Sequence, residues 1–155
     1  MTPSPPLQRR AVLAALLGSG FSPAFAAKTR TAMDVWKDPN CGCCKDWVTH
    51  LEQAGFKVRV FDVGNEAARA RLGIPSKLGS CHTASVRGYA IEGHVPAKDI
   101  QRLLREKPKA VGLAVPGMPV GSPGMDDPIY QGRKDPYEVL LVAKDGSSTV
   151  YQSYR

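Results

Sequence analysis

Three of the four cysteines of this chain fall within four residues, Cys41-Gly42-Cys43-Cys44. They stand between an apolar run, Ala32-Met33-Asp34-Val35-Trp36, and a segment whose apolar positions Cys44, Trp47, Val48 and Leu51 recur at i, i+3, i+4 and i+7. That arrangement predicts a strand running into the first turn of an amphipathic helix. Backbone N–H groups at a helix N-terminus lack intrahelical partners and carry partial positive charge, so a thiol placed there sheds its proton more readily. The chain is thereby committed to an α/β junction that presents a nucleophile or a set of metal ligands.

The N-terminal segment constrains the compartment. Arg9-Arg10, the apolar stretch Ala11 to Leu17 and the small-residue pattern Ala24-Phe25-Ala26-Ala27 have the three parts of a secretory signal peptide. Residues 1–26 are therefore expected to be a cleaved leader, and residues 27–155 the mature domain, in the periplasm. The apolar stretch is too short for a bilayer span, so no membrane span is expected in the mature protein. The paired arginines leave general and twin-arginine export both open, with Gln8 where the latter favours Ser or Thr. The net charge of +7 loses two with the leader. The remaining Lys and Arg are scattered and not interleaved with aromatics, which argues against nucleic acid. In an exported chain four cysteines also admit a bland reading, two disulfides in any of three pairings.

The remaining elements follow from pattern. Gly55 ends the first helix, and Phe56 to Asp62 alternates as a strand with one buried face. A short helix is expected over Asn65 to Leu72, capped by Asn65 and broken by Gly73-Ile74-Pro75. Two strand-like runs flank a turn at Arg87-Gly88, and Pro96 to Glu106 reads as a helix with Ile100, Leu103 and Leu104 inward. This order, with Val86 to Gly93, resembles a thioredoxin or glutaredoxin domain. Those folds usually carry a cis proline in the loop before the hairpin. Cys81-His82 holds that place here, which predicts a fourth thiol and an imidazole beside the first three cysteines. From Ala110 to Pro136 the density of Gly and Pro predicts a long loop without regular structure. Two runs around Lys144-Asp145-Gly146 predict a C-terminal β-hairpin. The expectation is one α/β, thioredoxin-like (glutaredoxin-like) domain with a Gly/Pro-rich loop and that hairpin.

The chemistry has competing readings. Cys41 and Cys44 have the spacing of a redox dithiol, in which Cys41 attacks and Cys44 resolves. Cys43 between them could attack the new disulfide, which suits exchange less well than metal binding. One tetrahedral zinc fits poorly, because neighbouring helical residues point about 100° apart and zinc ligand pairs are normally further separated. Bridging thiolates relax that limit, and soft thiolate and thioether donors select Cu(I). The favoured metal set is Cys41, Cys43, Cys44 and Cys81, completed by His82, His94, Met118 and Met125. A small disulfide-stabilised interaction module remains the third reading. His50 reads as a plain surface histidine, and Trp36 and Trp47 as core residues flanking the site.

Cys41-Gly42-Cys43-Cys44, Ser80 to Ala84, Glu92 to Pro96, Gly112 to Pro119 and Gly121 to Met125 together resemble the exported CopG-like copper-resistance family with a CxCC motif and a thioredoxin-like fold. The resemblance spans roughly Met33 to Tyr154. It implies periplasmic copper binding at a multinuclear thiolate centre and a role in changing copper's oxidation state, as a copper-dependent oxidoreductase would; copper ions are the expected ligand and a periplasmic copper-handling or redox protein the expected partner, which no motif identifies.

Overall fold

The computed structural model describes residues 1–2 and 29–155; the expected leader, residues 1–26, lies outside the described residues apart from its first two positions. Thr31–Lys37 forms β1, Gly42–Gln53 α1, Phe56–Phe61 β2, Glu66–Arg71 α2, His82–Val86 β3, Tyr89–Glu92 β4 and Ala97–Glu106 α3. Gly112–Ala114 then forms β5, Tyr137–Val142 β6 and Ser148–Tyr154 β7. Short 3-10 turns occupy Ser76–Leu78 and Pro128–Tyr130. The strands make one mixed sheet in the order β2-β1-β3-β4-β5-β6-β7. β1 pairs parallel with β2, and β4 with β5; the other four pairings are antiparallel.

Alternation along the strands divides the apolar residues between two faces of the sheet. On one face Met33 and Val35 of β1, Ala84 and Val86 of β3, Ile91 of β4 and Leu113 of β5 meet Trp47 and Leu51 of α1 and Ile100 and Leu103 of α3. The alternate residues Ala90 and Ala114 join Ile74, Leu78 and Val142 in a smaller cluster. Complete burial of each large apolar side chain contributes about 1.5–3 kcal/mol. The main cluster therefore fixes α1 and α3 against the strands that carry the cysteine and histidine loops.

Four local expectations are revised. Gly112–Ala114, in the stretch expected to hold no regular element, is a strand inside the sheet. The reason is tertiary: β4 and β6 each present a strand edge, and three residues suffice to bridge them. β2 alternates as expected, but its inward face is only partly covered because β2 is the sheet edge, and Val60 is 38% exposed. Asn65 precedes α2 without capping it; its amide instead donates to the Ser80 carbonyl at 3.1 Å and to Thr83 Oγ1 at 3.1 Å. Leu104 is half-buried at the margin of the core, whereas Ile100 and Leu103 are fully enclosed.

Gly112 is where the sheet extension depends on glycine. A Cβ there would stand 1.7 Å from the Ala90 carbonyl oxygen, a backbone contact that no rotamer change relieves. Gly112→Ala is expected to separate β4 from β5 and to destabilise the fold by about 3 kcal/mol, the upper part of the overpacking range. The check is the urea midpoint. An unchanged midpoint shows that the two strands can part without loss.

Candidate metal centre

Cys41 immediately precedes α1, with no side chain capping the helix, so the free N–H groups of the first turn lie at the cysteine cluster. Cys41 and Cys43 are half-buried and Cys44 is fully buried. Cys41 and Cys44 are joined as a disulfide, and Cys43 and Cys81 are free. Cys43 Sγ lies 3.5 Å from Cys41 Sγ and 3.8 Å from Cys81 Sγ. Cys44 Sγ stands 3.6 Å from the Cys81 carbonyl oxygen. The loop before β3 thus brings Cys81 against the three cysteines at the start of α1.

Cys81 also faces two imidazoles, with His94 Nε2 at 3.2 Å and His82 Nδ1 at 3.4 Å from its sulfur. Two groups of ligand atoms result, each lying within 4.8 Å of one another: the four cysteines, and Cys81 with His82 and His94. Cys81 belongs to both. A metal–thiolate bond of about 2.3 Å implies sulfur separations of about 3.8 Å along a tetrahedron edge. Cys43 and Cys81, the two free thiols, already stand at that spacing, whereas Cys41 and Cys44 become ligands only once their disulfide is reduced.

The second contact of each histidine decides what it can offer. His94 Nδ1 is 2.9 Å from the Pro123 carbonyl oxygen, which can only accept. Nδ1 therefore carries the proton and Nε2 turns its lone pair toward Cys81, the arrangement that orients a metal-ligating imidazole. His82 is fully buried, lies 4.2 Å from the Trp47 ring centroid, and its Nε2 has no hydrogen-bond partner among the described residues. A buried ring nitrogen left unpartnered carries a desolvation penalty. The ring nitrogen that faces Cys81 is Nδ1, so Nδ1 is the atom His82 offers to a metal beside that thiol, and Nε2 is the orphan on the other side of the ring.

Burial sets the protonation states. It lowers the His82 pKa well below the ordinary value, assisted by His94 and by Lys37, and it lowers that of His94 against the effect of the Pro123 hydrogen bond. Burial first, and then Cys43, push the Cys81 thiol up to about 12. Neutral imidazoles are ready to ligate. The Cys81 thiol must give up its proton when a metal enters.

Structure around the site was only partly visible in the sequence. Pro123-Gly124 lies across α1: an added Cβ at Gly124 would stand 2.6 Å from the Cys43 carbonyl oxygen and 2.8 Å from the Trp47 nitrogen. The Gly/Pro segment therefore covers the cluster while holding His94. Its methionines make no hydrogen bond with the cluster's thiols or imidazoles among the described residues; Met118 is 53% exposed, and Met125 is buried with its sulfur accepting from the Tyr130 hydroxyl at 3.9 Å. His50 is half-buried, and its Nε2 accepts from Ala97 N–H at 3.0 Å, so it serves the start of α3 and is not a plain surface residue. Trp47 is core as expected, but Trp36 is only partly buried and stacks on Phe61 at 5.3 Å. Lys37 went unread: it is 3% exposed, and its Nζ reaches Asp62 Oδ1 at 2.6 Å and the Asp38 carbonyl at 3.0 Å. Only the alternation of β1 could have signalled a lysine on the inward face.

A family profile described as "Protein of unknown function, DUF411" matches residues 78–125, the stretch that carries Cys81, His82 and His94. The chain is similar to two solved structures described as copper resistance protein CopG, forms 1 and 2. Each is 49% identical and covers 81% of this chain, with 98% and 99% of the neighbour covered and TM-scores of 0.74 and 0.75. No curated protein sequence matches.

The histidine shifts have a stability consequence with a definite sign. All three histidines have folded-state pKa values below the ordinary 6.5. The unfolded chain therefore binds more protons, and stability rises with pH across the interval between the two values. In the metal-free protein the urea midpoint is expected to be steady above about pH 6.5 and to fall as the pH drops below it. Burial raises the Glu92 pKa, which works in the opposite sense, so the check is made in a Glu92→Gln background, where a midpoint that is flat or rises on acidification contradicts neutral buried imidazoles.

Proposed function

The chain belongs to the CopG copper-resistance family, and from that premise we propose that it is a periplasmic copper-binding protein holding Cu(I)/Cu(II) in a multinuclear thiolate centre. The mature domain, residues 27–155, supplies Cys41, Cys43, Cys44 and Cys81 as thiolates and His82 and His94 as imidazoles. Met118 and Met125 are the thioethers of the covering loop. The observation that carries this reading is Cys81 standing in both ligand groups. A sulfur shared between a four-thiol set and a thiol–imidazole set is placed to bridge ions, whereas one ion cannot take all six donors at tetrahedral geometry. Softness favours copper over zinc.

Supporting features extend to fold and compartment. β1, α1, β2, α2, β3, β4 and α3 follow the order of a thioredoxin-like unit, with the parallel and antiparallel pairings such a unit requires; β5 to β7 extend its sheet. The leader pattern supports export. No helix among the described residues is long and apolar enough to cross a membrane.

A redox role for the same site rests on the Cys41–Cys44 disulfide. Opening it takes two electrons and two protons and restores two thiol ligands. In the reverse direction the dithiol can reduce two Cu(II) to two Cu(I), releasing two protons and closing the disulfide. Cys41 is half-buried and Cys44 wholly buried, so Cys41 is the sulfur within reach of a thiol. The thiol–disulfide oxidoreductase reading uses the same pair, and a periplasmic copper-handling or redox protein would be the partner in either case.

Titration of the reduced mature protein against a Cu(I) chelator is expected to give more than one Cu(I) per chain, held more tightly than Zn(II). Cys81→Ser is expected to lower that stoichiometry with an unchanged far-UV spectrum. Fewer than one copper per chain, or preference for zinc, defeats the cluster and leaves the dithiol chemistry.

Thioether sulfur needs no deprotonation, whereas thiolates and imidazoles compete with protons. Met118→Ala is accordingly expected to weaken Cu(I) retention more at roughly pH 5 than at roughly pH 7. Equal retention at both would reduce the loop to a cover.

A further inference from the structure

Glu92 is fully buried at the end of β4, two residues before His94, and its carboxylate has three donors. Oε1 accepts from Ser80 N–H at 2.7 Å and from Arg69 Nε at 2.8 Å, and Oε2 accepts from Thr83 Oγ1 at 2.6 Å. Arg69 also donates through Nη2 to the Ser80 carbonyl at 2.6 Å. Ser80 precedes Cys81 and Thr83 follows His82, so one carboxylate grips the chain on both sides of two candidate ligands. Its own strand leads into the third. Gly93 follows with φ +70°, and a Cβ there would stand 2.4 Å from the Val115 carbonyl oxygen and 2.7 Å from Ser80 Oγ, so the chain segments are drawn together to contact distance.

A buried ion pair is poor evidence of a role in stability, because apolar side chains of equal volume commonly replace one without loss. Geometry is what this pair supplies. Every hydrogen bond of the Glu92 carboxylate, except that from Arg69, comes from a residue adjoining Cys81 or His82, and Arg69 holds the same Ser80. In the segment so held, Cys81 Sγ lies 3.2 Å from His94 Nε2.

We propose that Glu92, braced by Arg69, is a positioning residue that holds Cys81 at His94 and thereby sets the copper affinity of the thiol–imidazole half of the site. This rests on the copper-binding reading above. Outer partners of metal ligands commonly change affinity by about 10–100-fold, and Glu92→Gln, which keeps the volume but loses the charge and one acceptor, is expected to fall in that range.

The test is a double-mutant cycle on the full mature protein, titrated with Cu(I) against a chelator. Glu92→Gln is expected to weaken copper binding about 10–100-fold in the wild-type background and to cause no further loss in a His94→Ala background, because residues acting through one contact do not add. An equal loss in both backgrounds, or none in either, overturns the proposal. If Glu92→Gln does not fold, Arg69→Lys decides by the same cycle, since an ammonium cannot donate to Glu92 and Ser80 in the guanidinium's fork. If the wild-type protein takes up no copper, the functional reading fails, and the metal-free protein decides the positioning claim. Cys81 alkylation, followed by peptide mass, is expected to be faster in Glu92→Gln; an unchanged or slower rate overturns it.

Discussion

Trp47 joins the parts of this molecule that carry chemistry. It sits in the second turn of α1, is completely buried, donates from Nε1 to the Val95 carbonyl at 2.9 Å, and lays its ring 4.2 Å from that of His82. One side chain thus ties the cysteine helix to the β3 strand that follows Cys81 and to the loop that carries His94. An indole offers a large apolar area and a single donor, and here both are satisfied. The apolar part joins α1 to the core, and the N–H sets the distance between α1 and the histidine loop.

The electrostatics of the site follow from this enclosure. Desolvation favours neutral forms, so the imidazoles lose their protons while Cys81 keeps its own. Lys37, buried nearby and paired with Asp62, adds positive charge that disfavours protonation of His82. The centre is therefore partly prepared for a soft cation. The imidazoles are deprotonated and oriented, and the energetic cost of loading lies in removing the Cys81 proton and opening the Cys41–Cys44 bond.

The C-terminal part completes the site from the other side. β5 adds to the sheet through a glycine that admits Ala90 at backbone contact, and the segment after it returns across α1 at Gly124 and holds His94 through Pro123. Without this return His94 Nδ1 would lose the Pro123 carbonyl that fixes its tautomer. A Gly/Pro-rich sequence suits the purpose because close backbone approach and abrupt turns are needed there, and side chains would obstruct both.

The sequence by itself determined the local elements and the donors. Amphipathic spacing placed α1 behind the cysteines, two strand-like runs around Arg87-Gly88 placed the β3–β4 hairpin, and Asp145-Gly146 marked the final one, because these signals act between neighbours in the chain. The order of elements also led to the expectation that Cys81 would lie beside the first three cysteines. Only the tertiary structure decided the rest. β5 exists because two strand edges await it, Asn65 bonds to the Ser80 loop and not to its own helix, and His50 accepts from the start of α3. Glu92, Arg69 and Lys37 read as ordinary charged residues until folding removes water from around them. Burial and long-range pairing are properties of the whole packed chain, and no local pattern encodes them.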